Sequence, residues 1–304
     1  MSIISANTLF HFTRNLDTLL EILENGFRPS YSKEFGDDSI GGAVKDVKIP
    51  MVCFCDLPLS MLSEHVDNYG HYGLWLRKDW GREKQLNPVT YFNRESFLLK
   101  AVRTAINQLF ALNNEFLQEL ARNTPRGTIE YRSSIEVTEN GLLNVEGSDF
   151  HLISKLHETN RRLSQLTSAL SNSLAVLAYM KPYQDYTTNQ LYYNEREWRH
   201  IIPYTAEYQN YVPILINIDD RDVPLFTGHD QGFDIEFYKK KIADEFMLDF
   251  NLDDIKYIIV KDENEISDVI ARLDKLVREG KYTSEEANRL AARILTYQQI
   301  QEDF

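Results

Sequence analysis

Strand-like and helix-like hydrophobic patterns fall in separate blocks along this 304-residue chain, and that segregation limits its fold more than any single motif does. "NTLFHFT" at residues 7–13 reads as a short strand. The "NLDTLLEILENGF" that follows sets Leu16, Leu19, Leu20 and Leu23 at helical spacing before Gly26 stops it. The polar "KEFGDDSIGGAVKDVK" predicts a mobile loop, and "IPMVCFCDLP" a buried strand closed by Pro58. A short helix through "LSMLSEHVDNYG" and a strand through "YGLWLRKDW" come next. Over residues 94–190 the pattern changes to two long stretches with recurring apolar positions, "RESFLLKAVRTAINQLFALNNEFLQELAR" and "DFHLISKLHETNRRLSQLTSALSNSLAVLAYM". The segment between them reads as a loop or small hairpin. Strand character returns in "EWRHIIPY", "YVPILINI" and "DIKYIIV", and the end is helical through "ENEISDVIARLDKLVREG" and "SEEANRLAARILTYQQIQ". The simplest architecture is a mixed α/β core split by a helical insertion.

At 43% hydrophobic content the chain can bury a substantial core. No apolar run approaches the roughly 20 residues of a membrane span, and "MSIISANTLFHFTRN" lacks the features of a secretory signal, so a cytoplasmic protein with no membrane partner is expected. The only cysteines, Cys53 and Cys55, are too close for an ordinary disulfide and lack the second pair of a zinc site; reduced, buried thiols are expected. The net charge is −13, and residues 203–304, with 22 acids against 12 bases, carry −10 of it. Such a balance argues against broad nucleic-acid binding without excluding a local basic groove.

The chemistry-bearing candidates lie in two places. In "YYNEREWRHI" a strand would turn Tyr193, Glu195, Glu197 and Arg199 to one face and Tyr192, Trp198 and His200 to the other. Two acids then project together. One reading is a solvated strand face paired with Arg196, Arg199 or a distant lysine; the other is a carboxylate that holds a hydroxyl or stabilises a developing positive charge, helped by its neighbour. In the opening strand, His11 and Thr13 alternate with Phe10 and Phe12, so a polar pair shares one face while the aromatics enter the core. The histidine can equally be a satisfied structural one. His65 and His71 do not have zinc-helix spacing, and no metal is expected. Phosphate-loop, dinucleotide-loop, nucleophile-elbow and kinase signatures are missing.

The ordered set "LFHFT", "LLEILENGFRPSYS", "IPMVCFCDLPLSMLSEH", "YGHYGLWLRKDWG", "NPVTYF" and "YYNEREWRHI" resembles the AbiGi-type abortive phage-resistance proteins. The likeness covers most of residues 8–100 and 190–260. The H-x-T opening followed by "LLEILENGF" is also similar to the start of DarT-like ADP-ribosyltransferases. Together these resemblances imply an α+β fold: one domain over residues 1–304 with an ADP-ribosyltransferase-like mixed β core, interrupted by a helical insertion at about 94–190. They imply a NAD-dependent ADP-ribosyltransferase toxin of an anti-phage, toxin–antitoxin system, with NAD as co-substrate. In that reading Glu197 is the catalytic acid and Glu195 assists at the acceptor. His11 and Thr13 bind NAD ribose, and Tyr72 stacks on nicotinamide, with Tyr69 and Tyr31 as alternatives. The acceptor is a nucleic acid, RNA before DNA, or a protein, and a cognate antitoxin is expected. A non-catalytic antitoxin or sensor that retains the fold is the rival expectation.

Overall fold

The structure, a computed structural model, describes residues 7–34, 47–61, 66, 69–123, 175–185, 188–202, 212–218, 221–224 and 234–303, with short stretches between 136 and 173. The first strand, β1 (Thr8–Thr13), leads into α1 (Leu16–Asn25). The Asn15 side chain caps this helix by accepting from the Thr18 amide. Gly26 ends it at φ +87°, where a Cβ would lie 2.8 Å from the Leu248 carbonyl oxygen, so glycine is required by both backbone and space. Then come β2 (Ser30–Glu34), the nine-residue β3 (Val47–Cys55), β4 (Tyr72–Arg77) and α2 (Lys78–Glu83).

Two short strands, β5 (Asn87–Pro88) and β6 (Thr90–Phe92), precede the 27-residue α3 (Phe97–Asn123). The small hairpin expected after it is present as β7 (Glu136–Val137) paired with β8 (Leu143–Asn144). β9 (Met180–Pro182) runs parallel to β6, and β10 (Glu197–Ile201) follows. The remainder is β11 (Leu215–Ile218), β12 (Arg221–Pro224), α4 (Ile235–Glu245), β13 (Ile255–Val260), α5 (Ile266–Arg278), α6 (Ser284–Ala291), β14 (Ile294–Thr296) and α7 (Tyr297–Asp303).

The class is mixed α+β. The main sheet runs β12-β11-β3-β1-β4-β13-β14, with β2 and β10 also paired to β3 and β5 to β10. β3 is the hub: β2 and β11 join its first half, β1 and β10 its second. Because side chains alternate along β3, Val52 and Phe54 enter one apolar cluster with Leu9, Leu74, Trp80 and the helices α1, α5 and α6. Val47, Ile49 and Met51 face the other way, against Leu99 and Ile106 of α3. Beyond them on that second face, Phe10, Trp75 and Tyr297 form a further cluster bordered by Cys55.

Three expectations about elements change. The loop expected from Lys33 begins later, because Ser30–Glu34 pairs along β3; residues 35–46 lie outside the described set. The strand read through "YGLWLRKDW" stops at Arg77, and Lys78–Glu83 is helical. Of the helix read through residues 59–70, Leu59–Met61 forms a tight helical turn and residues 66 and 69 are helical, residues 62–65, 67 and 68 lying outside the described set. The terminal helix is broken at Ile294–Thr296, which pairs parallel with β13; partnership with a sheet edge overrides a helical local pattern there.

Candidate functional site

β10 begins at Glu197, two residues later than the alternation of "NEREWR" suggests. Tyr192–Glu195 is a tight helical turn closed by Arg196 in the left-handed region, at φ 44° and ψ 51°. The expectation that Glu195 and Glu197 occupy one strand face is corrected here. The turn, and not the pleat, brings Glu195 beside its neighbour. From Glu197 onward the alternation holds: Glu197 and Arg199 are buried on one face, while Trp198 packs into the cluster on the other.

The two carboxylates converge on one ammonium. Lys181, from β9, donates to Glu195 Oε2 at 2.7 Å and to Glu197 Oε2 at 2.8 Å. Arg199 donates through Nε to Glu197 Oε1 at 2.7 Å and through Nη2 to Glu197 Oε2 at 3.2 Å. The same guanidinium reaches Glu34 Oε2 at 3.0 Å and the Ala178 carbonyl at 2.5 Å. Tyr69 donates to Glu195 Oε1 at 2.5 Å, and Gln190 reaches that oxygen at 3.4 Å. The Tyr91 hydroxyl accepts from the Glu197 amide at 2.8 Å. The exposures of Glu195, Glu197 and Arg199 are 3%, 5% and 0%, so five ionisable groups form one chain inside the protein. The pairing with a distant lysine is present, but the face is buried and not solvated.

Burial disfavours charge, and for Glu197, Lys181 and Arg199 the charged partners outweigh it. For Glu197, burial raises the pKa, but Lys181 and Arg199 outweigh it and hold the carboxyl at about 2. For Lys181, burial lowers the pKa, yet Glu197 and Glu195 bring it well above its ordinary value. Arg199 is raised for the same reason by Glu34 and Glu197, against burial. Glu34 goes the other way: burial raises its pKa, and Arg199 offsets only part of that. The free thiols of Cys53 and Cys55 are pushed up first by burial and then by the nearby glutamates, so they stay protonated. These are thiols that do not attack, since the thiolate is the nucleophile.

Register separates the other expected site residues from the acids. Phe10 and Glu197 both lie opposite Cys55, and directly opposed residues of antiparallel strands point to one face. Phe10 and Glu197 therefore share a face, while His11 and Thr13 point to the opposite one. His11 Nδ1 donates to the Cys53 carbonyl at 2.8 Å, and its ring packs against Phe27 and Phe54. Thr13 Oγ1 donates to the Asn15 carbonyl. Tyr72 is buried on that same side and donates to Glu265 at 2.6 Å, and Tyr31 donates to the Pro213 carbonyl at 2.9 Å. Of the residues expected to hold NAD, Tyr69 alone meets the glutamates. The set carried over by resemblance does not fit NAD as one group, because the sheet stands between its histidine and its acid. Lys181 and Glu34 complete the cluster and were not singled out in the sequence.

The cluster backs an aromatic surface. Tyr193 is 50% exposed, stacks on Tyr183 at 5.3 Å and meets Tyr91 edge-on at 5.4 Å. Tyr91 and Tyr183 line an open cleft with Asn93 and Arg94. Among the described residues no helix is long and apolar enough to cross a membrane.

A mixed α+β protein that buries a glutamate–lysine–arginine chain between β2, β9 and β10 is the class these features define. The family model described as "Putative abortive phage resistance protein AbiGi, antitoxin" matches residues 27–261, and the chain belongs to that family. It is similar to the abortive phage resistance protein AbiGi of Lactococcus lactis subsp. cremoris, with 24% identity over 269 residues covering 86% of this chain and 91% of the relative. No solved structure matches it.

Proposed function

We propose that this chain is the antitoxin of an abortive-infection pair, a binding protein that restrains a toxic protein partner without performing chemistry on it. One observation carries this reading: each of the four carboxylate oxygens of Glu195 and Glu197 is met by a donor of the protein itself. A carboxylate that stabilises an oxocarbenium ion or holds a ribose hydroxyl has to offer an oxygen to the substrate. Here each oxygen already has a donor from Lys181, Arg199, Tyr69 or Gln190, and the ion chain serves as a stiff support under the tyrosine surface. Tyrosines with large exposed rings are favoured contact residues at protein interfaces. The family description as an antitoxin supports the same reading.

NAD-dependent ADP-ribosyl transfer is the second reading, and the convergence of Glu195, Glu197 and Tyr69 favours it. Two measurements separate the readings. Incubation of the purified chain with labelled NAD and whole-cell lysate is expected to leave RNA, DNA and protein unlabelled. Co-expression with the toxin of its own system is expected to restore growth, and Tyr193→Ala to weaken the rescue. Label entering any macromolecule, and lost in Glu197→Gln, would overturn the antitoxin reading in favour of the transferase.

A further inference from the structure

Among the described residues, β3 has no strand partner on one of its edges between Met51 and Lys48. β10 pairs with it as far as Ile201 opposite Met51, and β11 starts at Leu215 opposite Lys48. Between those points stands Pro50, whose ring nitrogen has no hydrogen to donate to a ladder. β10 departs after a last long bond from the Ile202 amide to the Pro50 carbonyl, at 3.4 Å. The gap opens into a cavity of about 220 Å³ whose walls include Ile49, Ile201, Val212 and Ile214. Its polar groups include His200, Gln85 and Asn87.

His200 has a fixed sense of hydrogen bonding. Its Nδ1 lies 3.2 Å from the Lys84 carbonyl oxygen, which can only accept, so Nδ1 carries the hydrogen. Burial lowers the pKa of this imidazole, against the bond to Lys84, which keeps the ring neutral. A neutral ring with its hydrogen on Nδ1 has Nε2 as an acceptor. The next residue after Lys84, Gln85, holds a left-handed backbone at φ +60°, a conformation that a non-glycine residue adopts at some cost and that recurs at ligand clamps. Its side chain and that of Asn87 are exposed at the mouth.

We propose that this cavity is a binding site for one aromatic ring system bearing an N–H or O–H donor, an indole or a phenol, with its ring against Ile49, Ile201 and Ile214 and its donor directed to His200 Nε2. A cavity of about 150 Å³ suffices to hold benzene, so the volume here suits a single or fused pair of rings. None of the five charged side chains of the glutamate–lysine–arginine chain lines the site, although Ala178, whose carbonyl accepts from Arg199, is part of its wall. It stands whether or not the antitoxin reading does. The ring has two sources, a free small molecule or a tryptophan or tyrosine side chain of a partner.

Calorimetric titration of the full chain with indole and with benzothiophene, which matches indole in shape but has no N–H, tests this. Indole is expected to bind roughly tenfold more tightly, the factor that one uncharged hydrogen bond of ordinary strength gives. His200→Phe is expected to abolish that preference while still admitting both rings. Ala175→Trp, at the cavity wall, is expected to block both with the thermal melt unchanged. No binding of indole, equal affinity for the two rings, or binding indifferent to both substitutions would overturn the proposal. A capped pentapeptide with a central tryptophan assigns the source: affinity at or above that of indole points to a partner's side chain, and exclusion of the peptide points to a free molecule.

Discussion

The two faces of β1, β3 and β10 bury polar groups in opposite ways. On one, His11 is a single imidazole held neutral among Phe27 and Phe54 with its Nδ1 hydrogen given to a backbone carbonyl. On the other, five ionisable side chains pair in a continuous chain from Glu195 to Glu34. The difference lies in what each face can tolerate losing. A neutral group with one hydrogen bond forfeits that bond alone when replaced. A member of a buried ion chain leaves its partners charged and unpaired, which costs several times more than the pair contributes.

The largest expected effect is therefore Arg199→Met. Methionine fills much of the arginine's space but leaves Glu34 and Glu197 without a guanidinium and the Ala178 carbonyl without its donor. A loss of about 3–5 kcal/mol in urea unfolding is expected. Loss below about 1 kcal/mol would show that the chain does not hold charge in the way its geometry suggests. Acid gives an independent check on the same face. The folded pKa of Glu197, about 2, lies below its ordinary 4.5, so its contribution is present above about pH 4.5 and is lost as pH falls towards 2. Glu34, raised by burial, has the opposite sign and partly offsets that loss as the pH falls. The acid limb should therefore be shallower in a Glu197→Gln variant than in the native chain.

Next in size is Tyr69→Phe. It removes one hydrogen bond to Glu195, a carboxyl group that Lys181 continues to hold, and bonds within a salt-bridged set contribute about 1.5–3 kcal/mol. Because Tyr69 also stacks near Phe12 at 5.9 Å, phenylalanine keeps the ring contact and isolates the hydroxyl. A loss equal to that of Arg199→Met would mean that the hydroxyl holds more of the charged chain in place than its one bond to Glu195 explains.

The contrast between the faces also marks what the residues alone reveal. Alternation in "EWRH" places Glu197 and Arg199 together and Trp198 and His200 opposite, and the pleat observes it. Glu195 escapes the pattern because Arg196 turns left-handed without a glycine or asparagine to announce it. Lys181 sits at the end of what reads as an apolar helix, and Glu34 in what reads as the start of a loop. Their roles depend on β9 pairing with β6 and β2 with β3, contacts between segments distant in sequence. The opening strand shows the limit most plainly. Its alternation is correct, yet which face meets the acids is set by the register of β1 on β3, and no local pattern encodes that.

The smallest effect expected is on the quiet face. His11→Phe preserves an aromatic ring between Phe27 and Phe54 and removes only the bond to the Cys53 carbonyl, a loss of about 1 kcal/mol near neutral pH. Its pH dependence carries the sharper information. Burial lowers the folded pKa of His11 from 6.5, against the bond to Cys53, so the unfolded chain takes up the proton first. Above about pH 6.5 the histidine is neutral in both states and its full contribution is present; as pH falls from there towards the folded value, protonation of the unfolded state draws that contribution away. Phenylalanine has no such slope, so the gap between native and variant should narrow from about pH 7.5 to about pH 5.5, with His200 contributing equally to both. A gap that widens on acidification would mean that His11 gains a proton in the folded state. It would then belong with the charged chain across the sheet and not with the aromatic shell around it.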